Sequence, residues 1–334
     1  MKDEISMRAV TYKQAGDTEV LELTDEPIPT PKPQDLLIKV HATALNRADI
    51  SQRRGTYPPP PGHSPILGLE IAGEVVDWGS DVNSTKFPKG MRVFGLVDGG
   101  GYAEYCLLDQ AMAIPIPDDW DYVYAAAIPE AFLTSQVCLF QLGELTADES
   151  ILIHAGGSGI GTAAIQMAKA RDAKVFFTAG TDEKIQRCLE LGADHGINYK
   201  IQDFFEAIKE LTQQQGVNVI LDPVGENYFA RNINLLQTEG RLILIAKMSG
   251  DKAEFSIGRL IMKRLQIKGN SMRSRPLSEK RLITAKFCQD WLPLLLNKKI
   301  RPIIDSVFNF DDVVQAHRYM ESNQNFGKII LKII

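Results

Sequence analysis

The chain has 334 residues, 44% of them apolar and 24% charged, with 37 basic residues against 42 acidic ones and a formal net charge of -5. This composition excludes the disordered, collagen-like and disulfide-scaffold classes, and it lacks the basic footprint that a phosphate backbone requires, so no nucleic-acid partner is expected. The length suggests two domains, with a one-domain barrel as the alternative.

The opening MKDEISMRAV carries mixed charge and no apolar h-region, so secretion is not indicated. Residues 36–42, 71–77, 92–96 and 103–108 read as short β-type runs separated by Pro and Gly clusters, which predicts a compact, mainly β domain. The most apolar stretch, residues 122–133, is broken by Pro129 and Glu130, and no membrane span is expected. Beyond it the texture changes to apolar runs alternating with helical segments. Strands are predicted at 151–155, 174–179, 195–198, 217–222, 241–246 and 265–269, with helices at 160–170, 182–191, 203–214 and 226–236; Gly192 and Gly216 stand just past two helix ends. Six such units predict a doubly wound, mainly parallel α/β sheet. The tail adds a helix at 311–321 and a strand at 328–333, too little for a third domain, and is expected to fold back onto the first. The four cysteines, Cys106, Cys138, Cys188 and Cys288, form no CxxC pair and read as ordinary small apolar residues of a reduced cytoplasmic protein.

The strongest local signal is ILIHAGGSGIGTAAIQMAKA from Ile151, a buried-type strand that runs through a glycine turn directly into a helix. Such a turn offers backbone N–H groups and a helix N-terminus to a pyrophosphate, which makes it a candidate dinucleotide site. The strict G-x-G-x-x-G spacing is not met, because Ser158 stands where the middle glycine would be. The second strand ends Thr178-Ala179-Gly180-Thr181, with no carboxylate at Gly180, and Lys184 follows, where its ammonium can neutralise a 2'-phosphate; this favours NADPH over NADH. Asp182 leaves the other reading open, as a ribose ligand, and the bland alternatives are a helix N-terminal acid at Asp182 and a solvated cation at Lys184.

These motifs, together with ALNRADISQRRGTYPPPPG from Ala44, LGLEIAGEV from Leu67, AAAIPEAFLTS from Ala125, LGADHGINY from Leu191 and the terminal FGKIIL, resemble the zinc-independent quinone oxidoreductases of the medium-chain dehydrogenase/reductase superfamily, the group that includes zeta-crystallin. Ser158, YPPPPG and IPEAFLT are most similar to the subgroup induced by a tumour suppressor in mammals. The resemblance implies a GroES-like catalytic domain, residues 1–131 and 273–334, and a Rossmann NADPH-binding domain, residues 132–272, with the reaction in an interdomain cleft. Where zinc-dependent relatives carry a cysteine and a histidine, this chain has Asn46 and Leu69, so no metal is expected.

By the same resemblance Asn46 and Tyr57 line the nicotinamide end and are the catalytic donors. Thr134 meets the nicotinamide riboside. Ser158, Gly159 and Ile160 present backbone groups to the pyrophosphate, while Gly180, Thr181, Lys184 and Tyr199 surround the 2'-phosphate, and Ile245, Ala246 and Asn323 complete the pocket. The structural alternatives are that Asn46 and Asp49 cap a helix, Tyr57 packs on prolines and Tyr199 ends a strand. The implied activity is reduction of a small-molecule quinone by NADPH, as hydride or as single electrons, with His63 either a proton donor or a solvated loop residue. An NADPH-dependent reductase of activated C=C bonds in enones or alkenals is the rival enzyme, and a crystallin-like NADPH-binding protein with little turnover the rival of another class. The family pattern implies a cytoplasmic homodimer paired through the edge strand at 265–269.

Overall fold

The computed structural model describes residues 6–334; MKDEI, which opens the segment read for a signal, lies outside them. In chain order the first elements are β1 (Ser6–Thr11), β2 (Glu22–Pro27), β3 (Asp35–Ala44), α1 (Arg47–Arg53), β4 (Glu70–Trp78), β5 (Arg92–Leu96), β6 (Tyr105–Asp109) and β7 (Ile114–Pro115). Next come α2 (Tyr122–Ala126), α3 (Pro129–Gln136), a π-helical stretch Val137–Leu142, β8 (Ser150–Ile153), α4 (Gly159–Lys169), β9 (Lys174–Ala179), α5 (Asp182–Glu190) and β10 (His195–Asn198). The rest comprises α6 (Phe204–Leu211), β11 (Val217–Asp222), α7 (Glu226–Leu235), β12 (Leu236–Leu244), α8 (Ile257–Lys263), β13 (Gln266–Gly269), α9 (Leu277–Asp290), α10 (Leu292–Leu296), β14 (Ile304–Asn309), α11 (Val313–Glu321) and β15 (Lys328–Lys332). Two compact units result. One comprises Met1–Glu130, Arg273–Trp291 and Pro302–Ile334; the other comprises Ala131–Met272 and Leu292–Arg301.

The first unit is built on a seven-stranded sheet in the order β14-β15-β3-β4-β5-β7, with β6 also paired to β3. Its interior is made by residues that alternate inward along β3 and β4, including Ile38, Val40, Ile71 and Val75, all fully buried. The tail contributes β15, antiparallel to β3 with Ile330 opposite Ala44, and this register sets Lys328 beside the turn that leaves β3. Several elements here were not anticipated. The β1–β2 ribbon alternates buried Met7 and Ala9 with polar residues, and β2 reads ELTDEP, so neither has the apolar run of an interior strand. Helix α1 is only seven residues long, and α9 places Lys280 and Thr284 on its buried face beside Ile283 and Phe287, which breaks the apolar stripe.

The second unit carries the expected doubly wound sheet, six parallel strands in the order β10-β9-β8-β11-β12-β13. The chain works outward from β8 to β10 and then crosses to β11 on the other side. That reversal leaves a crevice at the carboxyl ends of β8 and β11, where ligands bind in open α/β sheets. The helix expected at 203–214 stops at Leu211, because Gln213 and Gln214 turn left-handed, with φ of 51 and 67°. The strand expected at 241–246 starts earlier, at Leu236, and ends at Leu244. Leu292–Arg301 is fastened to this unit by paired hydrogen bonds in which Gln166 Nε2 donates to Arg301 O at 2.8 Å and Arg301 N donates to Gln166 Oε1 at 3.0 Å. The apolar stretch Tyr122–Leu142 reaches 21 residues, longer than the sequence reading gave it, and 78% of its most apolar window is buried within the protein, as in a core helix.

Phe176 of β9 is fully buried among Leu152, Ile197, Phe204 and Ile220. Phe176→Ala is expected to lower stability by about 3–5 kcal/mol through the cavity it leaves, read as an earlier urea midpoint, with unchanged unfolding contradicting the packing.

Candidate active site and cofactor site

The turn after β8 is shaped by two glycines and one strained alanine. A Cβ on Gly156 would stand 2.7 Å from the Phe177 ring, and one on Gly161 would stand 2.4 Å from Ala155 O, so side chains are excluded at both. Ala155 itself is left-handed, with φ of 55°. Neighbouring β9 holds it there: Ala155 N–H donates to Thr178 Oγ1 at 3.3 Å and Gly156 N–H to Thr178 O at 2.8 Å. Ser158, at φ -76°, needs no glycine; its Oγ accepts from Gly161 N–H at 3.0 Å and so caps α4. Its own N–H donates to Ala155 O at 2.9 Å, so the backbone group expected at the pyrophosphate is spent on closing the turn. Gly159 and Ile160, the first two residues of α4, are left with N–H groups that have no intrahelical acceptor. They make up the positive end of the helix dipole, a geometry that suits an anion.

Around this turn the second unit gathers most of the other expected residues. Thr134 of α3 is buried, and its Oγ1 has no hydrogen-bond partner, a donor and acceptor left for a ligand. The next residue, Ser135, donates to Ala131 O at 2.7 Å and reaches Ile160 O at 3.4 Å, fixing α3 against the start of α4. Ile245 N–H donates to Asp222 O at 3.0 Å, and Ala246 follows in the loop after β12. These features fit a dinucleotide with its pyrophosphate on α4.

At the end of β9, a Cβ on Gly180 would lie 2.8 Å from the Tyr199 hydroxyl and 3.4 Å from Lys200 Cε, so Tyr199 and Lys200 close over that glycine. Lys200 was missed in the sequence reading, although it directly follows Tyr199. Thr181 caps α5, its Oγ1 accepting from Lys184 N–H at 3.2 Å. Asp182, the open alternative for a ribose ligand, accepts from Asn198 Nδ2 at 2.7 Å.

In the first unit Asn46 belongs to a buried polar cluster. Lys328 Nζ uses its donors on Glu70 Oε1 at 2.6 Å, Asn46 Oδ1 at 2.7 Å and Leu45 O at 3.3 Å, while Glu70 is fully buried and also accepts from Glu130 N–H at 2.8 Å. Both amide hydrogens of Asn46 are engaged, on Glu70 Oε1 at 2.8 Å and Ala44 O at 3.3 Å. Asn46 therefore has no hydrogen left to donate to a substrate, contrary to its expected catalytic role. Asn46 is the N-cap of α1 in a capping box with Asp49, whose Oδ2 accepts from Asn46 N–H at 2.7 Å. Burial pushes the Asp49 carboxyl up to about 6, against the pull of its N–H donors Asn46 and Gly68. Glu130 is pushed up to about 8 by burial and then by Glu70.

Tyr57, just beyond α1, lies with the Arg273 guanidinium 5.7 Å from its ring centre. Arg273 is buried; its Nε donates to Asp98 O at 3.0 Å and its Nη1 to Gln52 Oε1 at 2.6 Å, but its Nη2 has no hydrogen-bond partner. No sequence signal marked Arg273. Asn323, left-handed at φ 58°, follows the C-cap of α11, and its Oδ1 accepts from Arg47 Nη2, tying it to the residue after Asn46. His63 is placed 3.4 Å from Asp98 Oδ2.

Comparison with known proteins gives a consistent picture. Residues 32–118 match the model described as alcohol dehydrogenase GroES-like domain and residues 159–285 the model described as zinc-binding dehydrogenase. The chain is 32% identical over 332 residues to a quinone oxidoreductase of Sus scrofa, covering 97% of both. Among solved structures, a mycobacterial protein complexed with NADPH superposes with a TM-score of 0.89 at 26% identity, and an NAD-dependent alcohol dehydrogenase with 0.86 at 29% identity; each match covers 98% of this chain and 100% of the other.

Between the ordinary glutamate range and about pH 8, folded Glu130 holds a proton that the unfolded chain has released, so this residue makes stability fall as pH rises through that window. Glu130→Gln is expected to gain stability relative to the parent between about pH 5 and about pH 9. Urea unfolding at both values measures it, and a pH-independent difference contradicts the assignment.

Proposed function

The chain belongs to the quinone oxidoreductase family of the medium-chain dehydrogenase/reductases and is an oxidoreductase, and we propose that it reduces quinones with NADPH and without a metal ion. The observation that carries this reading is the start of α4, where the Gly159 and Ile160 N–H groups stand ready for a pyrophosphate beside the unpartnered Thr134 hydroxyl. When bound, the nicotinamide supplies the reducing equivalents. Thr134 takes the riboside and the loop at Ile245 and Ala246 the nicotinamide end.

The solved neighbours include both an NADPH complex and an NAD-dependent enzyme, so discrimination rests on this chain's own residues. Gly180 carries no carboxylate, Asp182 is engaged by Asn198, and Thr181, Lys184, Tyr199 and Lys200 surround the strand end; this supports a 2'-phosphate. Against a metal stands the donor set. Asn46 and buried Leu69 offer neither thiolate nor imidazole, Glu70 is closed by Lys328, and no group of three or more His, Cys, Asp or Glu is arranged to hold an ion among the described residues.

A quinone needs little activation, because its reduction generates an aromatic oxyanion that one or two donors can stabilise. Tyr57 and the unpartnered Nη2 of Arg273 are those donors, with the Arg273 charge favouring the anion. The buried thiols of Cys106, Cys138 and Cys188 support a reducing, cytoplasmic setting. A homodimer is supported by β13, an edge strand, and by α8, which buries none of its residues and leaves Ile257, Ile261 and Met262 65, 66 and 78% exposed.

Chelator-treated protein is expected to oxidise NADPH with a simple benzoquinone, and Lys184→Ala to lose about tenfold affinity for NADPH with little change for NADH. Turnover with enones alone makes it an alkene reductase, binding without turnover makes it a binding protein, and equal losses for both cofactors remove the 2'-phosphate assignment. Ile261→Asp is expected to convert dimer to monomer in analytical ultracentrifugation; an unchanged mass excludes this face as the interface.

A further inference from the structure

Beneath the glycine turn lies a chain of polar side chains that the proposed reaction does not use. His154, 1% exposed, follows β8; Thr178 is on β9, Asp222 ends β11 and Asn232 lies in α7, the last two fully buried. His154 Nδ1 is 3.1 Å from Thr178 Oγ1 and its Nε2 is 2.9 Å from Asn232 Oδ1; Asn232 Nδ2 donates to Asp222 Oδ2 at 3.0 Å. Asp222 Oδ1 accepts from Val224 N–H at 2.6 Å and Gly225 N–H at 3.2 Å. The rings of Phe204 and Tyr228 lie 4.9 and 4.7 Å from the His154 ring and enclose it in apolar surroundings.

The direction of every bond follows from the ends. A carboxylate only accepts, so Asn232 donates to Asp222 and turns its carbonyl oxygen to His154. His154 must then carry its proton on Nε2, which leaves Nδ1 to accept from the Thr178 hydroxyl. That hydroxyl oxygen is in turn the acceptor for the N–H of left-handed Ala155. Each bond of the chain thereby takes one direction, with a single arrangement of the hydrogens that make it. Burying four polar side chains in place of apolar ones brings no clear stability gain, whereas it does fix one conformation.

Resting on the NADPH reading above, we infer that His154, Thr178, Asn232 and Asp222 are positioning residues that hold the pyrophosphate turn in its binding conformation and lock it to the loop proposed for the nicotinamide end. The far end of the chain supports the second half. Asp222 O accepts from Ile245 N–H at 3.0 Å, and Val224 O accepts from Ser249 N–H at 2.8 Å and Ser249 Oγ at 2.9 Å. One side-chain chain thus joins the two backbone stretches that the dinucleotide is proposed to meet, and it relieves the binding step of ordering the strained Ala155.

The test uses Thr178→Val, which keeps the buried shape but strands Ala155 N–H and His154 Nδ1, and Thr178→Ser, which keeps the hydroxyl. NADPH affinity, titrated by calorimetry on the full chain, is expected to fall about tenfold in Thr178→Val and to recover to within about twofold in Thr178→Ser. A Thr178→Val protein that melts earlier yet binds NADPH as the parent does shows a merely structural hydroxyl and overturns the inference. If the parent itself binds no NADPH, the functional reading fails first. Nitrogen-15 spectra of His154 in the parent provide the check that survives a variant that does not fold: a protonated Nε2 with bare Nδ1 is expected, and the opposite tautomer overturns the chain's polarity.

Discussion

The pyrophosphate contact proposed for the second unit depends on one backbone conformation, the left-handed Ala155 that turns β8 into α4. A non-glycine residue there costs of order 1–3 kcal/mol and persists only when its surroundings over-determine it. Thr178 does this from the neighbouring strand, with its hydroxyl and its carbonyl each taking one N–H of the turn. With the turn so fixed, Ser158 caps the helix with its side chain, and Gly159 and Ile160 keep their N–H groups for an anion. The proposed pyrophosphate site is therefore a consequence of parallel strand pairing between β8 and β9 and not of the glycine spacing alone.

The first unit is organised around a different constraint, the burial of charge. Lys328 and Glu70 are almost wholly removed from water, and each spends its hydrogen-bonding capacity inside the cluster with Asn46 and Glu130. Removing one partner of such a pair leaves an uncompensated buried charge, worth about 3–5 kcal/mol. The strand that supplies Lys328 comes from the chain's end and the strand that supplies Glu70 from its first quarter, so the ion pair ties the tail to the β3–β4 region. Where relatives that use zinc need a thiolate and an imidazole, this arrangement offers an amide already saturated with protein partners.

The parallel sheet was legible because most of its strands are apolar runs that alternate with helix-length segments, two of them closed by Gly192 and Gly216; the N-caps Ser158, Thr181 and Asp203 were not read as such. The β1–β2 ribbon and α1 were not, since a half-exposed ribbon and a seven-residue helix leave too little periodicity. Among site residues, those next to glycine turns could be read, because glycine marks backbone geometry directly. Glu70, Lys328 and Arg273 could not, because their meaning comes from pairing across hundreds of residues, and a lone Lys in FGKII looks the same whether it is solvated or buried. Asn46 shows the opposite failure: its position was expected, but the acceptors of its amide hydrogens, Glu70 Oε1 of β4 and Ala44 O of β3, are set by strand pairing, and Lys328 of β15 takes its carbonyl oxygen.

The central claim is that the first turn of α4 holds the dinucleotide's pyrophosphate. Titrating NADPH into nitrogen-15-labelled protein and following backbone amides reads that contact directly. The largest downfield shifts are predicted at Gly159 and Ile160, with Ser158 N–H, already bonded to Ala155 O, moving less. Unperturbed Gly159 and Ile160 amides in a saturated complex would contradict the account.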